Sequence, residues 1–423
     1  MKRYEKYKAS DIPWLPIMPA HWDEKRLKSL FSKRNESYSP NESLQVLSLL
    51  KDVGIIPYSE KGNIGNKAKD DITTYNVARK GDIVMNSMNV IIGSVDITPF
   101  DGYISPAYYA LYSNDGVSTE YYNYLFHLKA VQQQMRSLAN GILEIRLRIS
   151  STSLFGMYYP FPPLVEQNKI VAYLDKRITL IDNCKCQRER ELQTLNELKQ
   201  AEIASVVARG LNPNVPMKDS GIFWQPLIPQ NWSVTKLKHV LTKLDRPRGL
   251  EDELLVCSNS GEVKKRGDSK LGLVADSDEI YQGVRRGDLL IHGMDTWHGA
   301  IAVSNYNGMC TPVVHVCDST QNKKYIALYL RNMANQKVFK LISNGVRQNT
   351  SDFRSWGKVG TILIPLPPIE EQNAIVEYIE SKTNKIDTMI EALKAEIDRL
   401  TEYKQRLISD VVTGQIDVRS EEI

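Results

Sequence analysis

The chain has 423 residues, 42% of them hydrophobic and 25% charged, with a net charge of +4. This composition is typical of an ordinary folded protein with two to four domains and ample core. No apolar run approaches the roughly 20 residues that a membrane helix needs. The N-terminus has no apolar segment of the signal-peptide kind. We therefore expect a cytoplasmic protein with no membrane contact.

The first elements along the chain follow a proline-rich segment between Trp14 and Trp22. Residues 82–85 are predicted to form a strand, opened by a Gly-Asp turn. Residues 120–138 are predicted to form a helix. A double proline at 162–163 then ends any preceding helix, since proline is tolerated only near a first helical turn.

The second half of the chain repeats these features in the same order. The Trp-Pro segment recurs 210 positions later as residues 224–232, and the strand recurs at 288–291. The predicted helix recurs at 324–343 and the double proline at 367–368. The offset drifts only from 210 to 204. The chain is therefore two copies of one module of about 205 residues.

Each copy ends in a long helical segment with apolar residues at heptad a and d positions. Nine of eleven such positions are apolar in the second segment and seven of eleven in the first, where Lys185, Arg188 and Lys199 interrupt the pattern. Such a narrow apolar stripe needs a partner helix. The two segments are expected to pack antiparallel on each other as a rod of roughly 65 Å, at 1.5 Å per residue. Joining the C-terminus to the N-terminus would reproduce the central link, which indicates pseudo-two-fold symmetry.

These patterns predict an α+β fold: two duplicated globular domains joined by two long antiparallel coiled-coil helices, related by a pseudo-two-fold axis. We assign residues 1–165 to the first domain and 166–210 to the central long helix. Residues 211–367 form the second domain and 368–423 the C-terminal long helix. The two domains carry net charges of +3 and +6, and the last segment carries −6. Basic globular modules suit a polyanion and an acidic helix suits a protein partner.

Catalytic and cofactor motifs are absent from the sequence. It contains no Gly-rich phosphate loop, and therefore no cofactor is expected. The five cysteines are odd in number and show no CxxC spacing, which argues against a disulfide scaffold and a zinc site. Cys310, His315 and Cys317 resemble metal ligands superficially, but their segment is better explained as a buried strand. We expect no catalytic residue and no bound metal, and a duplicated fold without chemistry suggests a binding protein.

Three motifs carry a resemblance to a known family: residues 224–232, residues 367–372 and residues 404–414. Together they resemble the specificity subunit of type I restriction-modification systems over the whole chain. The resemblance implies that each globular part is a target-recognition domain for one half of a split, asymmetric site in double-stranded DNA. It also implies that the paired helices set the gap and dock two methyltransferase subunits. Motor-nuclease subunits would join the larger complex.

The expected DNA-binding residues are basic or amide side chains in each module, because Lys and Arg hold phosphates while Asn, Gln and Arg contact base edges. In the second module they are Arg246, Arg248, Lys264, Lys265, Arg266, Arg347, Gln348 and Asn349. In the first module they are Lys67, Lys69, Asn86, Asn89, Arg146 and Arg148.

The tryptophans are interpreted separately. Trp14, Trp22, Trp224 and Trp232 pair across the copies and are expected to be structural or to face a partner. Trp297 has no aromatic twin, so it is either a specificity residue or, as we favour, part of the core.

Two other functions stay open. A coiled-coil scaffold that binds only proteins predicts no salt-sensitive DNA binding. A DNA methyltransferase in its own right predicts that the purified chain binds a cofactor.

Overall fold

The computed structural model describes residues 2–51, 53–63, 71–89, 92–139, 147–267, 280–343 and 353–421. Its internal contacts divide the chain into two units. Unit 1 comprises residues 1–188 and 395–423, and unit 2 comprises residues 189–394. Each unit therefore contains one globular part and a segment of both long helices.

Unit 1 contains short strands and helices around an aromatic core. Its strands are β1 Tyr7–Ala9, β2 Ile17–Pro19, β3 Asp23–Arg26, β4 Phe31–Lys33, β5 Gln45–Leu50, β6 Gly54–Pro57, β7 Asn76–Ala78, β8 Ile83–Asn86, β9 Val95–Ile97, β10 Gly102–Ile104, β11 Tyr108–Ser113 and β12 Tyr158–Phe161. Its helices are α1 Leu27–Leu30, α2 Thr119–Phe126, α3 Lys129–Ser137, α4 Ser151–Gly156 and the first part of α5 Leu164–Arg209.

Unit 2 repeats this order of elements. After the second part of α5, its strands are β13 Met217–Asp219, β14 Leu227–Pro229, β15 Ser233–Lys236, β16 Thr242–Lys243, β17 Leu255–Cys257, β18 Val263–Lys265, β19 Gln282–Val284, β20 Leu289–His292, β21 Ile301–Val303, β22 Gly308–Cys310, β23 Val314–Asp318 and β24 Leu363–Leu366. Its helices are α6 Leu237–Val240, α7 Lys323–Asn335, α8 Val338–Ile342, α9 Trp356–Val359 and α10 Ile369–Val412, of which residues 395–412 belong to unit 1.

The central sheet and two strand pairs have the same topology in both units. The remaining strands differ, because β6-β5-β10-β7 is one four-stranded sheet in unit 1, whereas β17–β18 and β19–β22 are separate pairs in unit 2. The central antiparallel sheet has the order β4-β11-β8-β9 in unit 1 and β16-β23-β20-β21 in unit 2. The pairs β3–β12 and β15–β24 also correspond, as do β1–β2 and β13–β14. Both central strands begin after a glycine with a left-handed backbone, Gly81 at φ +92° and Gly287 at φ +93°. A glycine is needed there because other residues rarely adopt this conformation.

The two predicted strands are confirmed, with bounds shifted by one residue to β8 and β20. The single helix predicted in each copy is wrong in extent, because each is broken in two. In unit 1 the break falls at Leu128, whose backbone is extended and whose side chain is buried in the core. In unit 2 it falls at Lys337, which has a left-handed backbone (φ 60°).

The long helices are confirmed and pair antiparallel within each unit. In unit 1, Lys404 bonds Asp182 at 2.7 Å and Arg188 bonds Glu396 at 3.1 Å. These pairs show that the second helix runs backwards along the first. In unit 2, Lys199 likewise bonds Asp387 at 2.6 Å.

Heptad positions of both long helices are buried, as the pattern predicts. Leu174 and Leu407 are buried in the core of unit 1, and Val206 and Val376 in the core of unit 2. The second helix ends at Val412, before the end of the predicted segment 368–423.

Candidate functional site

The turn that follows the central strand, called here the strand-exit turn, is described over residues 86–89 and 92–94 in unit 1 and 292–300 in unit 2. In unit 1 the amide of Asn86 donates to Ser94 O at 3.0 Å, and the amide of Ser94 donates to Asn89 O at 3.1 Å. The amide of Asn89 donates back to Asn86 O at 3.0 Å. Residues 90–91 of this turn lie outside the described residues.

The same three backbone hydrogen bonds recur in unit 2. The amide of His292 donates to Ala300 O at 3.0 Å, and the amide of Ala300 donates to Asp295 O at 3.3 Å. The amide of Asp295 donates to His292 O at 3.2 Å. The two modules therefore share one backbone frame at this turn, although its polar side chains differ.

The side chains of the two turns offer different hydrogen-bonding groups. Asn86 Oδ1 accepts from the amide of Met88 at 3.1 Å, and Asn89 is exposed. In unit 2, His292 Nδ1 accepts from the amide of Asp295 at 3.1 Å, and the Asp295 carboxylate is 44% exposed. Burial of His292 lowers its pKa, and the nearby Asp295 carboxylate raises it by less. The pKa is therefore below its ordinary value, and the imidazole is neutral at neutral pH.

A second duplicated contact supports the neighbouring strand. In unit 1 the Tyr109 hydroxyl donates to Ile149 O at 3.1 Å. In unit 2 His315 Nε2 donates to Phe353 O at 2.8 Å. A side chain on the strand next to the turn thus bonds the same backbone position in each module.

An Arg-Asp ion pair lies at the start of each central strand. Arg34 Nε and Nη2 donate to the two oxygens of Asp82 at 2.5 and 2.8 Å. In unit 2, Arg246 Nη1 donates to Asp288 Oδ2 at 2.7 Å. Arg246, predicted to bind DNA, therefore has its guanidinium on a carboxylate that is itself buried.

Among the other described candidates Asn86 is buried, and the rest are exposed or half-buried. Lys264 pairs with Glu262 at 2.9 Å, and Lys265 pairs with Glu253. Arg266 follows them at the end of β18, so these three cations lie together on one strand end. Arg148 is exposed and Arg248 half-buried. Six predicted residues lie outside the described part of the chain: Lys67, Lys69, Arg146, Arg347, Gln348 and Asn349.

Asn86 and Asn89 are brought together in one turn, as their spacing suggests. Asn86 also lines a cavity of about 110 Å³ beside Tyr58, Tyr75 and Tyr108. The sequence reasoning missed His292 and Asp295, although they occupy the positions of Asn86 and Asn89 in the second copy. Aligning the two copies residue by residue through the Gly93 and Gly299 match would have found them.

The paired tryptophans contact the protein interior to different degrees. Trp22 is fully buried, and its indole donates to Glu166 at 3.0 Å. Trp232 is buried as well. Trp224 is half-buried and donates to the Tyr329 hydroxyl at 3.3 Å. Trp297 packs against the core of unit 2, and Lys340 Nζ lies 5.7 Å from its ring centre.

A buried glutamine at the start of each long helix connects that helix to the globular part of its unit. Gln167 Oε1 accepts from the amide of Ser118, the residue that caps α2, at 2.8 Å. Gln372 Oε1 accepts from the amide of Asn322, which caps α7, at 3.0 Å. The double proline was interpreted only as a helix start, whereas the glutamine that follows it fixes the helix to the domain.

Cys310, His315 and Cys317, which resemble metal ligands in the sequence, are buried in the structure. Burial raises the pKa of Cys317 to about 12, which disfavours the thiolate that a metal would need. Within the described ranges, no group of three or more His, Cys, Asp and Glu side chains could hold a metal ion. No helix in that same part of the chain has the length and apolar character to span a membrane.

The comparisons with known proteins agree with this architecture. Residues 19–194 match the family model for the type I restriction modification DNA specificity domain. The specificity subunit of the Escherichia coli type I restriction enzyme EcoBI is 23% identical over 324 residues, which is 71% of this chain and 67% of that protein. The MjaVIII specificity subunit of Methanocaldococcus jannaschii is 23% identical over 319 residues, 70% of this chain and 71% of that protein.

Solved structures share the fold. A chain from a study of complex assembly and conformational transition in a type I R-M system covers 94% of this chain and 99% of its own length, with a TM-score of 0.71 and 16% identity. The HsdS subunit of Thermoanaerobacter tengcongensis covers 94% of this chain and 98% of its own length, with a TM-score of 0.54 and 17% identity. The predicted fold class is confirmed, and it defines a protein with two duplicated α+β domains and two long helices. The chain is similar to specificity subunits of type I restriction enzymes over about 70% of its length.

Proposed function

We propose that this chain recognises a split, asymmetric site in double-stranded DNA, with each recognition domain contacting one half. The observation that carries the proposal is that each unit contains the same four-stranded central sheet and the same two strand pairs, built from different residues. Two copies of one binding fold suit two similar tasks, and their different surfaces suit two different half-sites. Such a site would not be palindromic.

The domain assignment follows from this proposal. Residues 1–165 and 211–367 act as the recognition domains, and residues 166–210 and 368–423 as the spacer segments. Half-sites one helical turn apart lie roughly 34 Å from each other, and a helix pair of roughly 65 Å is long enough to bridge them. Antiparallel pairing of α5 and α10 within each unit supports a spacer role.

The chain acts without catalysis of its own in this proposal. Two methyltransferase subunits dock on it and supply the chemistry, and motor-nuclease subunits complete the assembly in the cytoplasm. The similarity to specificity subunits of type I restriction enzymes supports this separation of DNA recognition from catalysis. The acidic C-terminal segment also offers a surface that suits a protein partner.

Methylome sequencing tests the proposal in a host with and without the gene, in the presence of the cognate methyltransferase. The expected result is adenine methylation at a two-part motif with a fixed gap, which disappears when the gene is deleted. An unchanged methylome would contradict the proposal. A host with the methyltransferase gene but an empty vector serves as the control.

A further inference from the structure

We infer that the strand-exit turn determines specificity in each recognition domain, with Asn89 contacting an adenine and Asp295 contacting a cytosine. This inference rests on the proposed function, because it assigns residues to the reading of the two half-sites. Asp295 and its neighbour His292 were not among the residues that the sequence predicted.

The first argument is that one backbone frame carries different side chains. The three backbone hydrogen bonds of the turn are the same in both units, and both turns contain a glycine with a left-handed backbone, Gly93 at φ +87° and Gly299 at φ +79°. Some contacts that the two copies share keep the same residue, as with Gln167 and Gln372, whereas Asn89 and Asp295 differ on a shared backbone. The three shared hydrogen bonds use only backbone atoms, so they do not explain the change from Asn89 to Asp295. We attribute this change to a different contact at the surface of each unit.

The second argument is exposure. Asn89 is exposed, and so are the neighbouring Met88 and Ile92, at 38% and 49%. In unit 2, the Asp295 side chain is 44% exposed and that of His298 is 50% exposed. The turn is therefore accessible to a duplex in each unit.

The third argument is hydrogen-bonding chemistry. An asparagine amide can donate to N7 and accept from N6 of adenine, whereas an aspartate can only accept, which suits the N4 amino group of cytosine. His292 holds the aspartate in place, because its Nδ1 accepts from the Asp295 amide at 3.1 Å and lies 3.3 Å from Asp295 Oδ2. Asp295 Oδ1 lies 3.9 Å from His298 Nδ1, beyond hydrogen-bond distance, so it is the oxygen that can accept from a base. His292 is thus a positioning residue, and Asp295 is the residue that contacts the base.

The test transfers the side chains of the first turn to the second. The double variant His292→Asn with Asp295→Asn gives unit 2 the asparagines that unit 1 carries on the same frame, so the turn should still fold. The variant is assembled with its methyltransferase partner, and its methylated motif is compared with that of the wild type. One position of one half-site should change from cytosine to adenine, with discrimination at that position altered by about 10- to 100-fold. The reciprocal variant Asn89→Asp should change one position of the other half-site.

The control is Glu251→Gln, which removes one exposed carboxylate from the same unit outside the turn, and it should leave the motif unchanged. An unchanged motif in the folded double variant, or a change in the wrong half-site, would overturn the inference. A uniform loss of affinity across all sequences would overturn it too, because it marks a phosphate contact or a folding role. A wild-type complex that methylates no split motif would instead refute the proposed function.

Discussion

At the residue scale, the Arg-Asp pair of each unit stabilises the start of a central strand. The Asp82 side chain is 3% exposed and that of Arg34 is 18% exposed. Replacing Arg34 with Met would leave the carboxylate buried without its guanidinium, and we expect a loss of about 3–5 kcal/mol in the stability of this region. Hydrogen exchange of peptides covering residues 76–113 measures it.

Two variants control this prediction. Lys28→Met removes an exposed cation from the same unit and should change hydrogen exchange little. The double variant Arg34→Met with Asp82→Asn removes the stranded charge and keeps an acceptor for the Arg79 amide, which bonds Asp82 at 2.9 Å. This double variant should regain much of the stability that Arg34→Met loses. A double variant no more stable than Arg34→Met would contradict the ion-pair explanation.

The helix-start glutamines lead to a second prediction at this scale. Gln372 is fully buried, and its amide group also donates to Gln321 Oε1 and Pro367 O, both at 2.8 Å. Gln372→Ala leaves these buried groups without a partner, so we expect a loss of about 1–3 kcal/mol, seen as faster hydrogen exchange at the start of α7. The exposed Gln193→Ala is the matched control. Equal exchange in both variants would show that the glutamine does not hold α7.

At the scale of elements, cations on the first long helix are paired with carboxylates on the second. Arg188 and Lys199 interrupt the apolar pattern of α5, and in the structure they bond Glu396 and Asp387. Their long aliphatic stems also cover apolar surface. The basic residues that interrupt the apolar pattern of α5 are therefore compatible with helix pairing, because α10 carries the carboxylates that bond them.

The spacer role gives the prediction at this scale. Inserting seven residues into both helices at facing positions, after Asn196 and after Ile390, keeps the heptad phase and adds about 10 Å. Because a base pair rises about 3.4 Å, the gap between the half-sites should grow by about three base pairs. Methylome sequencing reads the gap directly. Seven residues inserted into the exposed link at 212–214 are the control, and an unchanged gap in the helix variant would reject the spacer role.

At the scale of the whole molecule, DNA binding should depend on salt. A complex that contacts six to ten phosphates loses about 10³- to 10⁵-fold in affinity between 50 and 200 mM salt. We expect such a loss for the chain assembled with its methyltransferase, measured by fluorescence anisotropy with a cognate duplex. A flat response would favour the coiled-coil scaffold.

Three basic residues at the end of β18, Lys264, Lys265 and Arg266, allow a more specific test of phosphate contact. Replacing Lys264, Lys265 and Arg266 with Ala should lower the salt slope by up to about three, because each phosphate contact contributes about one. Replacing Lys382, Lys385 and Lys394 on α10 removes the same charge from a helix and should leave the slope unchanged. Equal effects of the two triple variants would show that β18 does not contact phosphates.

The candidate site was only partly predictable at the level of single residues. Arg246 was chosen because arginine suits DNA, yet its partner Asp288 lies 42 residues away. Nothing in the local sequence signals that bond. Asp295 was not predicted, because an acidic residue does not suggest contact with a polyanion such as DNA unless the turn that carries it is known.

The sequence by itself determined the duplication, the central strands and the two long helices. These features depend on periodicity and on chemistry confined to neighbouring residues, such as a Gly-Asp turn or a double proline. The tertiary structure alone decided the helix breaks at Leu128 and Lys337, the anchoring by Gln167 and Gln372, and the shared frame of the strand-exit turns. The glutamine contacts join residues 49 and 50 positions apart in the chain, and the helix break at Leu128 places a buried side chain in the core, so packing and the pairing of buried polar groups outweigh local preference. The turn frame is local, but it is made of backbone hydrogen bonds between residues whose side chains differ in the two copies.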